Sequence, residues 1–262
     1  MNRQLWELLG GEQEPSWYLD SITAMQKRET HLKVIRSWTQ GMRVKRILKT
    51  DLFEEAFGKD SLLESLFPEA GLVCGLDAAL STARRASRRF EQQIRTLACD
   101  VRHLAVQDRS VDLVVSTSTL DHFDSRSEFL SALAELARIM KPGGLLIITL
   151  DNPWNPLYHP LRWLSLGVRN PFPLGYTESG PQVERDLIAA GLLPENRDWL
   201  LHNPRGISTL IFLVLRQLLT QRAADRSIGL LLRSCERLSR LPTRKITACF
   251  VAVAARKPLE GL

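Results

Sequence analysis

The feature that most constrains this chain is a regular alternation of short apolar runs with helical patterns, which starts at residue 46. Short buried strands separated by helices are typical of βαβ units, in which each helix returns the chain to a neighbouring parallel strand. Five runs carry this pattern: 46–50, 72–76, 94–98, 111–116 and 145–150. The sequence therefore predicts an α/β fold with a doubly wound, mostly parallel sheet.

The helix between the fourth and fifth runs has the clearest boundaries. Ser125 and Glu128 have the spacing of a capping box, and the apolar residues that follow fall on one face. Pro142 and the two glycines after it end the helix. Further helices are predicted at 61–66 and 79–90, between the earlier runs.

Outside the alternating region, the pattern predicts a helical cap and a lid. Residues 1–45 form an N-terminal helical cap, because Ile22, Met25, Leu32 and Ile35 lie on one stripe. Residues 46–262 form the main domain. Within it, residues 151–178 are rich in proline and aromatic side chains, which predicts a lid or pocket wall. A helix capped by Ser179 and Gln182 follows, and residues 245–255 are predicted to form the last strand.

Residues 204–240 are predicted to be a helical insertion, and their stretch 207–219 is strongly apolar. Thirteen residues are too few to span a bilayer. One interpretation is a core or cap helix. The other is an interfacial helix that touches lipid or gates an apolar substrate, so peripheral membrane contact stays an alternative.

Composition and motifs exclude several other classes of protein. The four cysteines lie apart without a CxxC pair, which predicts buried thiols in a reducing, cytoplasmic compartment and no metal site. P-loop, GxSxG and HExxH motifs are absent from the sequence. The first residues lack the pattern of a secretory signal, so none is expected. The oligomeric state is not determined by the sequence.

The net charge of +6 comes in part from four arginines at 84–89. No aromatic residues are interleaved with these arginines, so a solvated helix face is the favoured interpretation. Nucleic acid is therefore not the expected partner, although RNA modification stays an alternative.

Two acidic residues follow neighbouring strands of the predicted sheet. Asp77 comes at the end of the second run, and Asp100 follows the third. Ligands of open α/β sheets bind beyond the carboxyl ends of the strands. A carboxylate there can accept hydrogen bonds from ribose hydroxyls or from an adenine amine. The alternative role for each is to cap the following helix.

Four segments, taken in order, resemble class I S-adenosylmethionine-dependent methyltransferases. They are Asp100-Val101, then 108–116, then Leu120-Asp121-His122-Phe123, then 136–144, which ends in Lys-Pro-Gly-Gly. The resemblance implies a Rossmann-like seven-stranded sheet whose last strand is antiparallel, and S-adenosylmethionine (SAM) as cofactor. By similarity, Asp77 and Ala78 would contact the ribose, and Asp100 and Val101 the adenine. Ser116 and Thr117 would line the far side of the cofactor.

The first turn departs from that family, which usually has a glycine-rich turn preceded by an acidic residue. In the simplest alignment Asp51, Phe53 and Glu55 occupy the glycine positions, and Lys49 replaces the acid. In one hypothesis the loop follows a different path past Thr50, and Asp51 or Glu54 pairs with the methionyl ammonium group. In the other, the fold has lost SAM and serves as a non-catalytic binding or assembly protein.

The expected activity is methyl transfer to a small, partly apolar acceptor, with the methylated atom unresolved. If the acceptor carries a proton of high pKa, a base is needed, and three residues are candidates: His122, Tyr158 and His159. Four residues at the end of the fifth run and in the lid are candidates for binding the acceptor: Asp151, Asn152, Trp154 and Tyr176. Asp151 and Asn152 would instead cap the proline-rich turn in the alternative interpretation.

Overall fold

The computed structural model describes residue 7 and residues 20–58, 60–66, 70–91, 93–167 and 174–259. Within these ranges seven strands form one sheet in the order β3-β2-β1-β4-β5-β7-β6. The strands are β1 (Arg46–Thr50), β2 (Leu72–Asp77), β3 (Arg95–Ala98), β4 (Val111–Thr117), β5 (Met140–Asp151), β6 (Leu193–Leu200) and β7 (Phe250–Arg256).

The first five strands are parallel, and β7 runs antiparallel to both β5 and β6. The predicted fold class, a doubly wound and mostly parallel seven-stranded sheet with helical cap elements, is confirmed. Strand β6 had no clear signal, because its sequence is polar and it lies at the sheet edge beside β7. The last strand begins five residues later than expected, because residues 244–247 form a short helix.

The helices cover both faces of the sheet. They are α1 (Ser21–Trp38), α2 (Phe53–Phe57), α3 (Leu80–Arg89), α4 (Arg126–Ile139), α5 (Tyr158–Gly167), α6 (Gly180–Ala189), α7 (Ile207–Leu218), α8 (Gln221–Glu236) and α9 (Arg244–Thr247). The expected helix at 61–66 is only a 3-10 turn over residues 63–65. The helix after β1 begins at Phe53 instead.

Two hydrophobic clusters separate the sheet from its helices. Along β4, Val114 packs into one cluster with Leu133 of α4. Its neighbours Leu113 and Val115 pack into the other with Leu32 of α1. Because side chains alternate between the faces of a strand and both faces are covered, a nearly continuous apolar run was needed at β4.

Helix α4 begins as the sequence indicated. The Ser125 hydroxyl accepts a hydrogen bond from the backbone N–H of Glu128 at 3.4 Å. The helix ends at Ile139 and β5 follows at Met140, five residues before the predicted start. The Lys257 ammonium donates to the carbonyl oxygens of Ala137 and Met140, at 2.7 and 2.9 Å, and so caps the end of the helix.

The predicted N-terminal cap is described mainly as α1; its residues 1–6 and 8–19 lie outside the described residues. Leu32 and Ile35 of α1 are buried as expected, whereas Met25 is exposed. The insertion at 204–240 forms α7 and α8, which pack on α1 through a small cluster around Phe212 and Ile228. No helix in the described part of the chain is long and apolar enough to cross a bilayer.

Candidate functional site

An open cleft of about 460 Å³ lies at the carboxyl ends of the first parallel strands. Ligands of doubly wound sheets bind at this edge, because neighbouring strands there send their connections in opposite directions. The cleft is lined by Asp51, Leu76, Asp77, Ala78, Cys99, Val101, Thr119, His122 and Phe123.

The first turn keeps a glycine-like backbone without a glycine. Asp51 has a φ of 65°, in the left-handed region that aspartate tolerates better than most residues. Its Oδ1 accepts a hydrogen bond from the backbone N–H of Phe53 at 2.7 Å, which holds the turn. The Phe53 ring packs into the core against Phe57, with ring centroids 4.4 Å apart. The cleft is therefore not filled by Phe53.

Behind the turn lies a buried charge cluster, formed by Lys27, Lys49, Glu54, Glu55 and Asp60. The fully buried Lys49 ammonium is 3.2 Å from Glu54 Oε2 and 3.6 Å from Glu55 Oε1. It also donates to the carbonyl oxygen of Asp51 at 2.6 Å. Lys27 lies 2.5 Å from Glu54 Oε1 and 3.1 Å from Asp60 Oδ2. Lys49 therefore anchors the turn from behind.

These contacts remove Glu54 from the set of cleft residues. Burial alone would raise the pKa of Glu54, but the ammonium groups of Lys27 and Lys49 lower it to about 2. The carboxylate is thus held by two lysines and is not among the residues that line the cleft. Of the two predicted partners for an ammonium group, only Asp51 faces the cleft.

Asp77 joins the first turn to the start of α3. Its Oδ2 accepts from the backbone N–H of Leu52 at 3.0 Å, and its Oδ1 accepts from that of Ala79 at 2.8 Å. Burial and the nearby negative charge of Asp51 raise the pKa of Asp77 to about 7. Each carboxylate oxygen retains a lone pair for a donor in the cleft.

Asp100 lies beside the cleft and is held by an arginine. The Arg102 guanidinium donates to both carboxylate oxygens of Asp100, at 2.6 to 3.1 Å, which helps to lower the pKa of that carboxyl against the effect of burial. Arg102 also pairs with Glu128 on α4. The cleft lining includes Cys99 and Val101 on either side of Asp100, but not Asp100 itself.

Three predicted cofactor residues lie beneath the cleft floor. Thr50, Ser116 and Thr117 are buried. The Thr50 hydroxyl bonds to that of Ser116 at 2.9 Å and to that of Thr119 at 2.7 Å. Thr119, which the sequence analysis did not select, is the member of this chain of hydroxyls that reaches the cleft.

The turn at 120–122 presents His122 to the cleft. Its neighbour Asp121 is buried and accepts hydrogen bonds from the backbone N–H of Asp151 at 2.7 Å and from Ser118 at 3.1 Å. Burial and the charge of Asp151 raise the pKa of Asp121 to about 6. Gly175 packs against this turn so closely that a Cβ there would lie 2.5 Å from the carbonyl oxygens of Asp121 and Phe123.

The end of β5 is tied to the segments around it. Asp151 forms an ion pair with Arg205, just before α7. The Asn152 amide donates to the carbonyl oxygens of Lys245 and Ala248, at 2.9 and 3.0 Å. Its Oδ1 accepts from the backbone N–H of Trp154 at 3.2 Å. For Asn152, the structure therefore supports the turn-capping alternative.

The remaining acceptor and base candidates are spread over the lid. Tyr158 lines a second cavity of about 240 Å³, and its hydroxyl donates to the Gly175 carbonyl oxygen at 3.1 Å. Burial raises the pKa of Tyr158 to about 12. His159 and Trp154 are exposed, and the Tyr176 hydroxyl donates to Glu178. None of these four side chains lines the main cleft.

The arginine-rich helix α3 uses two of its four arginines internally. Arg89 donates to the carbonyl oxygens of Glu55 and Gly58, at 2.7 and 3.3 Å, and so satisfies the end of α2. The Arg85 guanidinium lies 4.4 Å from the centre of the Phe57 ring. This run is thus partly structural, which weakens it as a nucleic-acid surface.

The sequence predicted the acidic and histidine members of the cleft together with Ala78 and Val101, but not its remaining apolar and hydroxyl members. Leu76, Phe123, Thr119 and Cys99 were not selected, although each adjoins a strand end or the turn after one. Adjacency to a strand end was the available signal. The residue types gave no signal of a binding site, because leucine, phenylalanine and cysteine are usual in protein cores.

Comparison with known proteins gives one family match. Residues 54–148, about a third of the chain, match the model of the methyltransferase domain family. Over 58 residues, 22% of its length, the chain is 36% identical to the tRNA (carboxymethyluridine(34)-5-O)-methyltransferase of Mus musculus. The match spans only 9% of that relative's length.

Solved structures share the fold over nearly the whole chain. The N-methyltransferase NodS of Bradyrhizobium japonicum, in complex with S-adenosylhomocysteine, has a TM-score of 0.60 at 16% identity and covers 98% of each chain. The geranyl diphosphate C-methyltransferase of Streptomyces coelicolor has a TM-score of 0.60 at 15% identity, covering 94% of this chain and 86% of that one. The predicted resemblance to class I methyltransferases is confirmed.

Proposed function

We propose that this chain, with a methyltransferase-domain sequence on a class I methyltransferase fold, transfers a methyl group from SAM to a small, partly apolar acceptor. The observation that carries the proposal is the cleft between Asp51 and Asp77, which is open at the strand ends. Both structural relatives described above are complexes with S-adenosylhomocysteine, the demethylated form of SAM, and this supports SAM as cofactor.

The chain's own residues supply complementary contacts for such a cofactor. The Asp77 carboxylate is proposed to accept hydrogen bonds from the ribose hydroxyls. Val101, Leu76 and Phe123 offer apolar surface to the adenine ring. Asp51 is proposed to pair with the methionyl ammonium group, because its carboxylate faces the cleft in a left-handed turn whose backbone comes close to the ligand.

When bound, SAM supplies an electrophilic methyl group on a sulfonium centre. The chain's contribution is then to hold the acceptor in line and to exclude water, which can account for much of the acceleration. His122 is proposed to accept the proton that a protonated acceptor loses, because its ring lines the cleft beside the turn that ends at Phe123. Tyr158 and His159 are secondary candidates for the base.

The acceptor is proposed to enter from the side of the lid and the helical insertion. Asp151 with its partner Arg205, together with Trp154 and Tyr176, lies in the segments that would border it. One structural relative is a complex with geranyl diphosphate, a prenyl compound, and supports an acceptor that is apolar in part.

A scaffold without SAM is the second candidate function. The observation that favours it is the reversed charge at Lys49, where the family usually has an acidic residue, and the lack of glycines after it. Modification of RNA is the third, because the matched mouse relative acts on tRNA. The structural role of Arg85 and Arg89 argues against their use as an RNA surface.

Calorimetry with S-adenosylhomocysteine tests the proposal. We expect binding by the wild-type chain and a loss of about 1–3 kcal/mol of binding free energy in Asp77→Ala, the scale of hydrogen bonds to a charged acceptor. The matched control is Asp108→Ala, an exposed aspartate that pairs with Arg138 away from the cleft. Absence of binding at millimolar ligand would favour the scaffold. Unchanged affinity in Asp77→Ala would remove Asp77 from the site.

A further inference from the structure

The helical insertion exposes an apolar surface where a surface helix usually carries charge. Helix α7 buries only Ser208 and Phe212. Six apolar side chains of α7 are exposed, and the largest exposed fractions are 77% at Leu218 and 66% at Leu210. The full set is Ile207, Leu210, Ile211, Leu213, Val214 and Leu218.

These side chains share one side of the helix. At 100° per residue, the buried positions 208 and 212 and the partly buried position 215 lie on one side of the helix, and positions 210, 213, 214 and 218 lie on the other. Gln217 is the one polar residue between them on that exposed side. A helix that is apolar all round is normally buried, so this face lacks the partner that its composition requires.

The surroundings of this face are strongly basic. Residues 204–246 contain nine arginine and lysine residues and two acidic residues, whereas the whole chain has a net charge of +6. The rest of the chain is therefore close to neutral. On α8, which packs beside α7, Arg222, Arg226 and Arg233 are exposed along one side.

The neighbouring lid helix α5 also exposes apolar side chains. Leu161 of α5 fills the space at Gly206, directly before α7, where a Cβ would lie 2.9 Å from its Cδ2. Two residues further along α5, Trp163 has an exposed fraction of 78%, and Leu164 is also exposed. Tryptophan beside aliphatic side chains and arginines is typical of segments that lie in the interface of a bilayer.

We propose that α7 and α8 dock the protein on an anionic membrane surface, with the apolar face of α7 in the interface and the arginines of α8 against lipid headgroups. Apolar burial and attraction to anionic lipid act together in such contacts. The proposal does not depend on the proposed methyl transfer. Arg205 links α7 to Asp151 at the end of β5, so docking would place the lid side of the molecule next to the bilayer.

The test is flotation of the full chain with two kinds of vesicle, phosphatidylcholine alone and phosphatidylcholine mixed with phosphatidylglycerol. We expect binding to the anionic vesicles that weakens as salt is added. Two triple variants, Leu210→Ser/Leu213→Ser/Leu218→Ser and Arg222→Glu/Arg226→Glu/Arg233→Glu, should each reduce the partition coefficient at least about tenfold.

Matched controls carry the same chemical changes elsewhere. Ile188→Ser/Leu193→Ser removes exposed apolar side chains from α6 and β6, and Arg43→Glu/Arg84→Glu/Arg88→Glu reverses three exposed arginines. Both should float like the wild type. Circular dichroism checks that every variant is folded, and calorimetry with S-adenosylhomocysteine separates a failure of docking from a failure of the proposed activity.

Several outcomes would overturn the proposal. One is the absence of flotation with anionic vesicles. Another is unchanged flotation of both triple variants, the leucine variant of α7 and the arginine variant of α8. A dimer that the leucine variant dissociates, without vesicle binding, would assign the face to a second copy of this chain. RNA binding that is lost in the α8 arginine variant, without vesicle binding, would assign the basic side to nucleic acid.

Discussion

Asp77 illustrates at the scale of one residue how a structural role can be combined with the proposed cofactor contact. Its carboxylate holds Leu52 and Ala79 through their backbone N–H groups, and its pKa is raised to about 7. A hydroxyl donates more strongly to a carboxylate than to a carboxylic acid. The protonation state of this one group should therefore control nucleoside affinity near neutral pH.

We predict that affinity for S-adenosylhomocysteine rises about tenfold between pH 6 and pH 8, as the Asp77 carboxyl loses its proton. Calorimetry at several pH values measures the rise, and calorimetry in buffers of different ionisation enthalpy measures the proton released on binding. In Asp77→Asn the rise should be absent. Equal affinity of the wild type at pH 6 and pH 8 would contradict the assignment.

The same raised pKa has a consequence for the ligand-free protein. Between about pH 4 and pH 7 the native state holds this proton more tightly than the unfolded state does. The contribution of Asp77 to the free energy of unfolding therefore falls as the pH rises through that window. Urea denaturation of the wild type and Asp77→Asn at pH 5 and pH 8 separates this contribution from those of other groups.

Lys49 is the residue on which the buried charge cluster depends. Although burial alone would lower the pKa of Lys49, Glu54 and Glu55 raise it above its ordinary value. We predict that Lys49→Met lowers the free energy of unfolding by about 3–5 kcal/mol, because it leaves buried carboxylates without this partner. Urea denaturation measures the loss, and Lys49→Met/Glu55→Gln should recover part of it.

The control for Lys49→Met is Lys141→Met. Lys141 pairs with Asp112 at 2.5 Å, but about a third of its side chain is exposed. Because exposed ion pairs contribute little, this variant should lose only about 0–1 kcal/mol. Similar losses in the two variants would mean that the cluster behind the first turn does not act as a buried network.

At the scale of elements, the lid and the turn that carries His122 depend on each other. Gly175 packs against the turn, and hydrogen bonds of Tyr176 and Tyr158 hold it there. Tyr176 donates its backbone N–H to the Phe123 carbonyl oxygen at 2.6 Å. The Tyr158 hydroxyl, from α5, donates to Gly175 itself at 3.1 Å. Movement of the lid should therefore move His122.

We predict that Gly175→Ala lowers the free energy of unfolding by about 1–3 kcal/mol, because its Cβ would collide with two backbone carbonyl oxygens that cannot move independently. The same variant should weaken S-adenosylhomocysteine binding, which calorimetry measures. Gly71→Ala is the control, since its Cβ would meet only the Lys45 carbonyl oxygen at 3.8 Å. Equal stability of the two variants would contradict a tight contact at Gly175.

At the scale of the whole molecule, ligand binding should stabilise the fold, because the cleft joins the ends of several strands. A ligand present at 100 times its Kd stabilises the native state by about 2.7 kcal/mol. For a chain of this size we predict that S-adenosylhomocysteine at that excess raises Tm by about 5–10 °C. Differential scanning fluorimetry measures the shift, which Asp77→Ala should reduce at the same ligand concentration. No shift in the wild type would favour the scaffold.

At this scale, charge is also distributed unevenly between two regions of the chain. Residues 204–246 carry the excess of basic residues, and the side of the sheet that holds the cleft carries buried acids. The run at 84–89, which was the obvious basic motif, is partly used to cap α2. The net positive charge of the chain therefore comes from residues 204–246.

The sequence by itself determined which five segments form the first five strands, the start of α4 after Ser125, and the acid at the end of β2. These are local or periodic properties, because burial on both faces demands an apolar run and a cap needs a hydroxyl at one position. Strand β6 escaped prediction, since its position depends on pairing with β7 and not on its own residues. The short helix at 244–247 was also not predicted.

Only the tertiary structure decided the roles of residues that are close in sequence but belong to no recognisable motif. Glu54 and Asp51 are equally acidic and three residues apart, yet Lys27 and Lys49 bind Glu54 behind the turn and leave Asp51 at the cleft. The apolar stretch of α7 fitted both a core or cap helix and an interfacial one, and only the tertiary structure showed that six of its apolar side chains are exposed. Lys27, which lies 27 residues before Glu54, supplies one of the contacts that decide the role of Glu54, and no local pattern encodes it.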